Sequence, residues 1–129
     1  MARLASDERG SLTVEFALMG LVMLGLLIGA LDVGRLFWIR TSLQFSAEET
    51  GRWVLSHPTA SNAQIVAKAA SHLADSGAGG APVTVGRTFA ADGTEFVAIR
   101  IADAMPLGQG LVPLPPVEIV GRVQVPLAH

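Results

Sequence analysis

Cysteine is absent from the 129 residues, so neither a disulfide framework nor a thiolate metal site can form. That absence fits an exported chain as well as a cytosolic one and leaves the compartment open. Tyrosine is also missing and aromatics make up only 5%, which removes the stacking platform that single-stranded nucleic-acid binders use. Charged residues are scarce at 16%, against about 25% in an average soluble domain. Nine basic and eleven acidic side chains leave a formal charge of −2, with no positive footprint for phosphates, so no nucleic-acid partner is expected. Proline is missing from Ser11 to His57, so nothing there forces a helix to stop. What the chain has in excess is apolar surface: half its residues are hydrophobic and the mean hydropathy is +0.49. The length suits one small domain.

The apolar excess is concentrated. Phe16 to Leu31 contains no charge, proline or hydroxyl, and extending it back to Ser11 adds a single charge, Glu15. About 20 helical residues cross a hydrocarbon core about 30 Å thick, so this run has membrane length, and the rest of the chain is too short to wrap it as a core helix. A cleaved secretory signal would need small residues at −3 and −1 of a site beyond the run. Ile28 precedes Ala30 and Asp32 precedes Gly34 at those positions, so the segment is expected to stay as an anchor. Arg3 and Arg9 before it and Arg35 and Arg40 after it balance, and composition assigns no orientation. Phe37 and Trp38 mark the membrane–water boundary. Beyond them Leu36, Ile39, Leu43, Ala47, Thr50 and Val54 recur at helical spacing, and Glu48 and Arg52 stand at i,i+4. One helix of about 46 residues, near 69 Å at 1.5 Å per residue, is predicted up to the stop at Pro58.

The residues that open the span carry the functional signal. A carboxylate such as Glu15 within an apolar helix costs up to roughly 2.5–3.5 kcal/mol at mid-membrane. A cut after Gly10 would give Ser11 a free α-amine, protonated at neutral pH, one turn from Glu15. In a neighbouring subunit that amine and this carboxylate could neutralise each other and set the axial register of stacked helices. The plainer alternatives are a flexible glycine ahead of a helix and a first-turn acid favoured by the helix dipole. Gly10 with Glu15 at the fifth residue beyond it looks like the processing signature of type IV pilin-like proteins. The wording Val14-Glu15-Phe16-Ala17-Leu18, then Asp32-Val33-Gly34-Arg35, then Ala47-Glu48-Glu49 with Arg52 resembles, over roughly residues 9 to 55, the TadE-like pseudopilins. These are minor pilins of the tight-adherence (Flp) pilus system. The family often has proline where this chain has Gly20, which softens a helix without breaking it.

That resemblance implies a pilin-like fold and a role as a structural component in assembling pili for surface attachment. It implies that Gly10 precedes the bond cut by a prepilin peptidase, that Ser11 becomes the new, sometimes methylated, N-terminus, and that Glu15 sets subunit register. It places the protein in the bacterial inner membrane with its N-terminus cytoplasmic and its C-terminal domain periplasmic. Its partners would be the peptidase, other pilin and pseudopilin subunits, the inner-membrane assembly platform and the lipid bilayer. The alternative is an uncleaved single-pass membrane protein whose external domain binds a ligand or partner. Within the span, Gly25 and Gly29 form a candidate helix-packing face, and Asp32 with Arg35 a candidate pair at the membrane boundary.

The remainder predicts an α+β domain. Ser61 to Gln64 reads as a capping box opening a helix with Ile65, Val66, Ala69, Ala70 and Leu73 on one face, and Ser76 to Gly80 is a linker without the ending of a phosphate loop. Strands are predicted at Val83–Phe89, Phe96–Ile101 and Val117–Val125, the first two joined by the Asp92-Gly93 turn and the last two by a proline-rich loop, Met105 to Pro116. The resulting organisation is a leader over 1–10, a transmembrane part over 11–35, an amphipathic continuation over 36–57 and a small domain over 58–129. A three-stranded antiparallel meander rides on the long helix. His57, His72 and His129 are scattered without ligand spacing. Ser71, His72 and Asp75 share one short helix and lack a nucleophile elbow, and Gly108-Gln109-Gly110 reads as a turn. No catalytic residue, metal or cofactor is expected.

Overall fold

A computed structural model describes residues 7–108 and 113–127. The element order is α1 (Asp7–Ser56), α2 (Asn62–Asp75), β1 (Val83–Phe89), β2 (Glu95–Met105) and β3 (Val117–Leu127). The strands form one antiparallel sheet in the order β1-β2-β3, so the α+β meander on a long helix is what the chain builds. Residues 1–6 of the expected leader, Gln109 and Gly110 of the expected turn, and His129 lie outside the described residues.

The long helix has 50 described residues, Asp7–Ser56, and so is already formed ahead of the expected start at Ser11. The single Gly10 costs only about 1 kcal/mol against alanine, too little to interrupt the helix there. It does end just short of Pro58: His57 donates its backbone N–H to Val54 at 3.0 Å, and its ring stacks on Trp53 at 4.4 Å between centroids.

The upper half of α1 is one wall of the core. Leu43, Ala47, Thr50 and Val54 are fully buried, and Leu36 and Ile39 pack at the cluster's margin, so the predicted stripe is the one that meets the sheet. Facing it are Val97, Ile99 and Ile101 of β2 and Ile119, Val125 and Leu127 of β3, with Ile65 and Leu73 of α2 closing the side. The predicted Glu48–Arg52 pair does not form. Arg52 reaches Glu49 at 3.2 Å, and Glu48 accepts from Gln44 Nε2 at 2.8 Å. Both contacts lie on the solvent side and contribute little.

Local signals place the smaller elements. The capping box is complete: Ser61 Oγ accepts from Gln64 N at 3.3 Å, while Ser61 N donates to Gln64 Oε1 at 2.9 Å. At the other end of α2, Ala78 N reaches Leu73 O at 2.9 Å and Gly77 N reaches Ala74 O at 3.2 Å. This is a Schellman motif, with Gly77 at φ +77 in the left-handed position that it needs. Ala70, expected on the apolar face, is exposed; Ile65, Ala69 and Leu73 are the buried residues. The Asp92-Gly93 turn forms with Gly93 at φ +86. Asp92 Oδ1 accepts the Thr94 N–H at 3.0 Å, and that bond holds the Asp92 carboxyl below its ordinary value. β2 and β3 run past the predicted ends because Met105 pairs with Val117, and Glu95 with Leu127. The connecting loop therefore begins at Pro106.

Arg87 ties β1 to the α1–α2 connection. Its Nη1 meets Glu95 Oε1 at 2.7 Å, its Nε Asn62 Oδ1 at 2.9 Å, and its Nη2 the carbonyl of Ala60 at 2.6 Å. Charged hydrogen bonds that are partly buried are worth about 1.5–3 kcal/mol. Arg87→Met, which keeps the apolar stem, is expected to lower domain stability by about 2 kcal/mol in urea unfolding of the detergent-solubilised chain. An unchanged midpoint would show that solvent replaces all three contacts.

Candidate processing and assembly site on the N-terminal helix

From Gly10 to Leu27 every residue of α1 is exposed, and Ile28 is half-buried. Leu12, Val14, Phe16, Leu18, Met19, Leu21 and Val22 are each at least 60% exposed, which leaves a free apolar rod. Its most apolar stretch is left entirely unburied. One helix is thus long and apolar enough to span a membrane, as in a single-pass protein.

Gly10, Ser11 and Glu15 stand together on the flank of that rod, beside Val14, Leu18 and Met19, and all six are exposed. Among the described residues the Glu15 carboxylate makes no hydrogen bond or ion pair. The Gly10–Ser11 bond is inside the helix, near its first turn. A Cβ built on Gly10 meets nothing within 4 Å, and the same holds for Gly20, Gly25, Gly29 and Gly34. Among the described residues nothing therefore requires glycine at any of these positions.

Asp32, expected to pair with Arg35, has a partner in the loop after β2. Asp32 is 6% exposed and its Oδ2 accepts the backbone N–H of Gly108 at 2.7 Å, whereas Arg35 is exposed. The partner is 76 residues away in sequence, so spacing alone could not indicate it. Two further residues were unmarked in the sequence. Gln44 clamps the free edge of β3, its Oε1 accepting from Arg122 N and its Nε2 donating to Arg122 O, both at 3.3 Å. Gly121 lets β3 lie directly on the backbone of Leu43; an isolated glycine within a strand is the available sign of such close approach.

Of the residues considered for chemistry, Ser71 Oγ donates to the carbonyl of Lys68 at 2.7 Å, and His57 Nδ1 lies 3.0 Å from both Ser56 Oγ and the carbonyl of Trp53. Each of these contacts is local to its own helix end. Among curated proteins and among solved structures nothing matches. A family model described as TadE-like protein matches residues 10–52, about a third of the chain. The match begins at Gly10 and ends at Arg52, two residues before the last buried position of α1. Over residues 10–52, within α1, the chain is thus similar to the TadE-like family.

Proposed function

We propose that the protein is a minor pilin or pseudopilin of a tight-adherence pilus system. It is a structural subunit rather than an enzyme, cut between Gly10 and Ser11 by a prepilin peptidase and packed against other subunits through the lower half of α1. The observation that carries this reading is the unpartnered Glu15 one turn beyond Ser11 on a helix that its own domain leaves bare, within the segment that matches the TadE-like family. The helix anchors the chain in the inner membrane with residues 1–10 cytoplasmic and the sheet domain periplasmic. The assembly platform and sister pilins cover the exposed rod once it leaves lipid.

Cleavage requires the turn around Gly10 to open, and glycine's helix preference, about 1 kcal/mol below alanine's, lowers that cost. Gly10→Ala is sterically free in the subunit and strengthens the helix, so a processing defect in this variant reports on the peptidase step and not on folding. In cells holding the cognate peptidase, intact mass and N-terminal sequencing are expected to show a chain starting at Ser11. For Gly10→Ala they are expected to show mainly uncut precursor. A wild-type chain that retains residues 1–10 under these conditions would sink the proposal and leave a tethered module with an external domain.

A further inference from the structure

β3 runs alongside α1 in the same direction. Gly121 lies on Leu43, and Val123 and Val125 lie on Gly51. A strand advances about 3.3 Å per residue and a helix 1.5 Å. Followed backward from Gly121, the stretch to Val117 covers about 13 Å, the rise of about nine helical residues. The start of β3, and Met105 paired with it, thus come level with about residue 34 of α1. The hydrogen bond from Gly108 to Asp32 places the loop after β2 at the same height independently. This is where the apolar run has just ended, at Leu31, and where the exposed aromatics Phe37 and Trp38 follow within about 10 Å.

The chain between Ala104 and Val117 carries no charged side chain. Leu114 is 50% exposed and Val117 36%, beside the exposed Pro113, Pro115 and Pro116. Single exposed aliphatics are ordinary on a protein surface; what sets Leu114 and Val117 apart is that they come level with the end of the apolar run of α1, in a stretch without a charged side chain. We infer that this side of the loop is a second membrane contact: Leu114 and Val117 rest in the interfacial layer of the phospholipid bilayer that α1 crosses. The surface is continuous with the span itself, joined to it by the Asp32–Gly108 bond, and that continuity makes lipid its occupant. With two points on the membrane instead of one, the helix can no longer rotate freely about its axis, and the sheet is presented in a fixed direction. The inference rests on α1 spanning the membrane, and not on processing after Gly10.

The test uses the full chain in phosphatidylcholine–phosphatidylglycerol vesicles carrying a nitroxide high on the acyl chain. Three single-tryptophan forms are compared: Trp38 alone (Trp53→Phe), Trp53 alone (Trp38→Phe), and Leu114→Trp with both native tryptophans replaced by phenylalanine. Trp38 and the probe at 114 are expected to be quenched alike, several-fold more than Trp53, which stands about 22 Å further along the helix. Because the chain has no cysteine, Leu114→Cys carrying an environment-sensitive fluorophore provides a second probe should the tryptophan disturb the loop, with a blue shift on vesicle insertion expected. A probe at 114 that behaves like Trp53 overturns the inference while leaving the span intact. Absence of quenching at Trp38 overturns the span itself. A probe shielded from aqueous iodide yet unquenched by the labelled lipid is covered by protein, and that result also overturns the inference.

Discussion

Gly121→Ala is expected to cost the domain about 3 kcal/mol, and Gly121→Val more, at the upper end of overpacking effects. A Cβ at position 121 would stand 2.6 Å from the carbonyl carbon and oxygen of Leu43 and 2.8 Å from the amide nitrogen of Gln44. All three are backbone atoms of a helix, and none can rotate away. The strand is equally fixed, by its pairing with Ile101 and by the Gln44 clamp on Arg122. Relief must come from parting β3 and α1, which loosens Leu43 and Ala47, both fully buried. Gly51 supplies the internal control. A Cβ there meets Val123 Cγ1 and Val125 Cγ1 at 3.2 Å, side-chain methyls that can shift, and alanine's better helix preference, about 1 kcal/mol, offsets the crowding. Thermal unfolding of the detergent-solubilised variants should therefore show a large loss for Gly121→Ala and almost none for Gly51→Ala. Equal losses would mean that general crowding, and not contact between two backbones, limits this interface.

Much of this arrangement is legible in the sequence wherever the governing interaction is local. The stripe Leu43, Ala47, Thr50 and Val54 follows from helical spacing, the start of α2 from Ser61 and Gln64, and the hairpin from Asp92-Gly93. Each depends on residues within a turn or two of one another. The features that escape are those whose partner is remote in sequence. Nothing about Asp32 indicates Gly108, whose backbone N–H it accepts from 76 residues away. Gln44 reads as an ordinary polar helix residue until β3 is beside it. Glu48 and Arg52 fail as a pair for a different reason: Gln44 and Glu49 compete for the same exposed groups, and the differences among such surface contacts are a few tenths of a kcal/mol. On the candidate site, the sequence marks Gly10 and Glu15 on chemical grounds, and the structure adds that both are exposed. A carboxylate at the head of an apolar helix calls for a counter-charge whatever the fold beyond it.

That counter-charge leads to the second large effect. Under the processing proposed above, Glu15→Ala is expected to leave removal of residues 1–10 largely intact while depressing incorporation into pili a hundredfold or more. The free α-amine of Ser11, with a reference pKa near 8, is charged at neutral pH. Removing one member of a buried ion pair strands the other, at about 3–5 kcal/mol, which corresponds to two to four powers of ten in an association constant. Effects on the subunit itself run the opposite way. Glu15 is exposed on a part of α1 that packs against none of the described residues, so its loss cannot unfold the domain, and deleting a charge from an apolar helix makes insertion into the membrane easier. Glu15→Gln keeps the shape and hydrogen-bonding capacity but not the charge, and separates the two contributions. If the pairing is electrostatic it should assemble nearly as poorly as alanine; if shape alone sets the register it should assemble nearly as well as wild type. The measurement is the amount of this subunit in sheared pilus fractions, relative to membrane-bound processed chain. Normal incorporation of both variants would remove the charge pair from the account of assembly, whatever the mass of the mature chain.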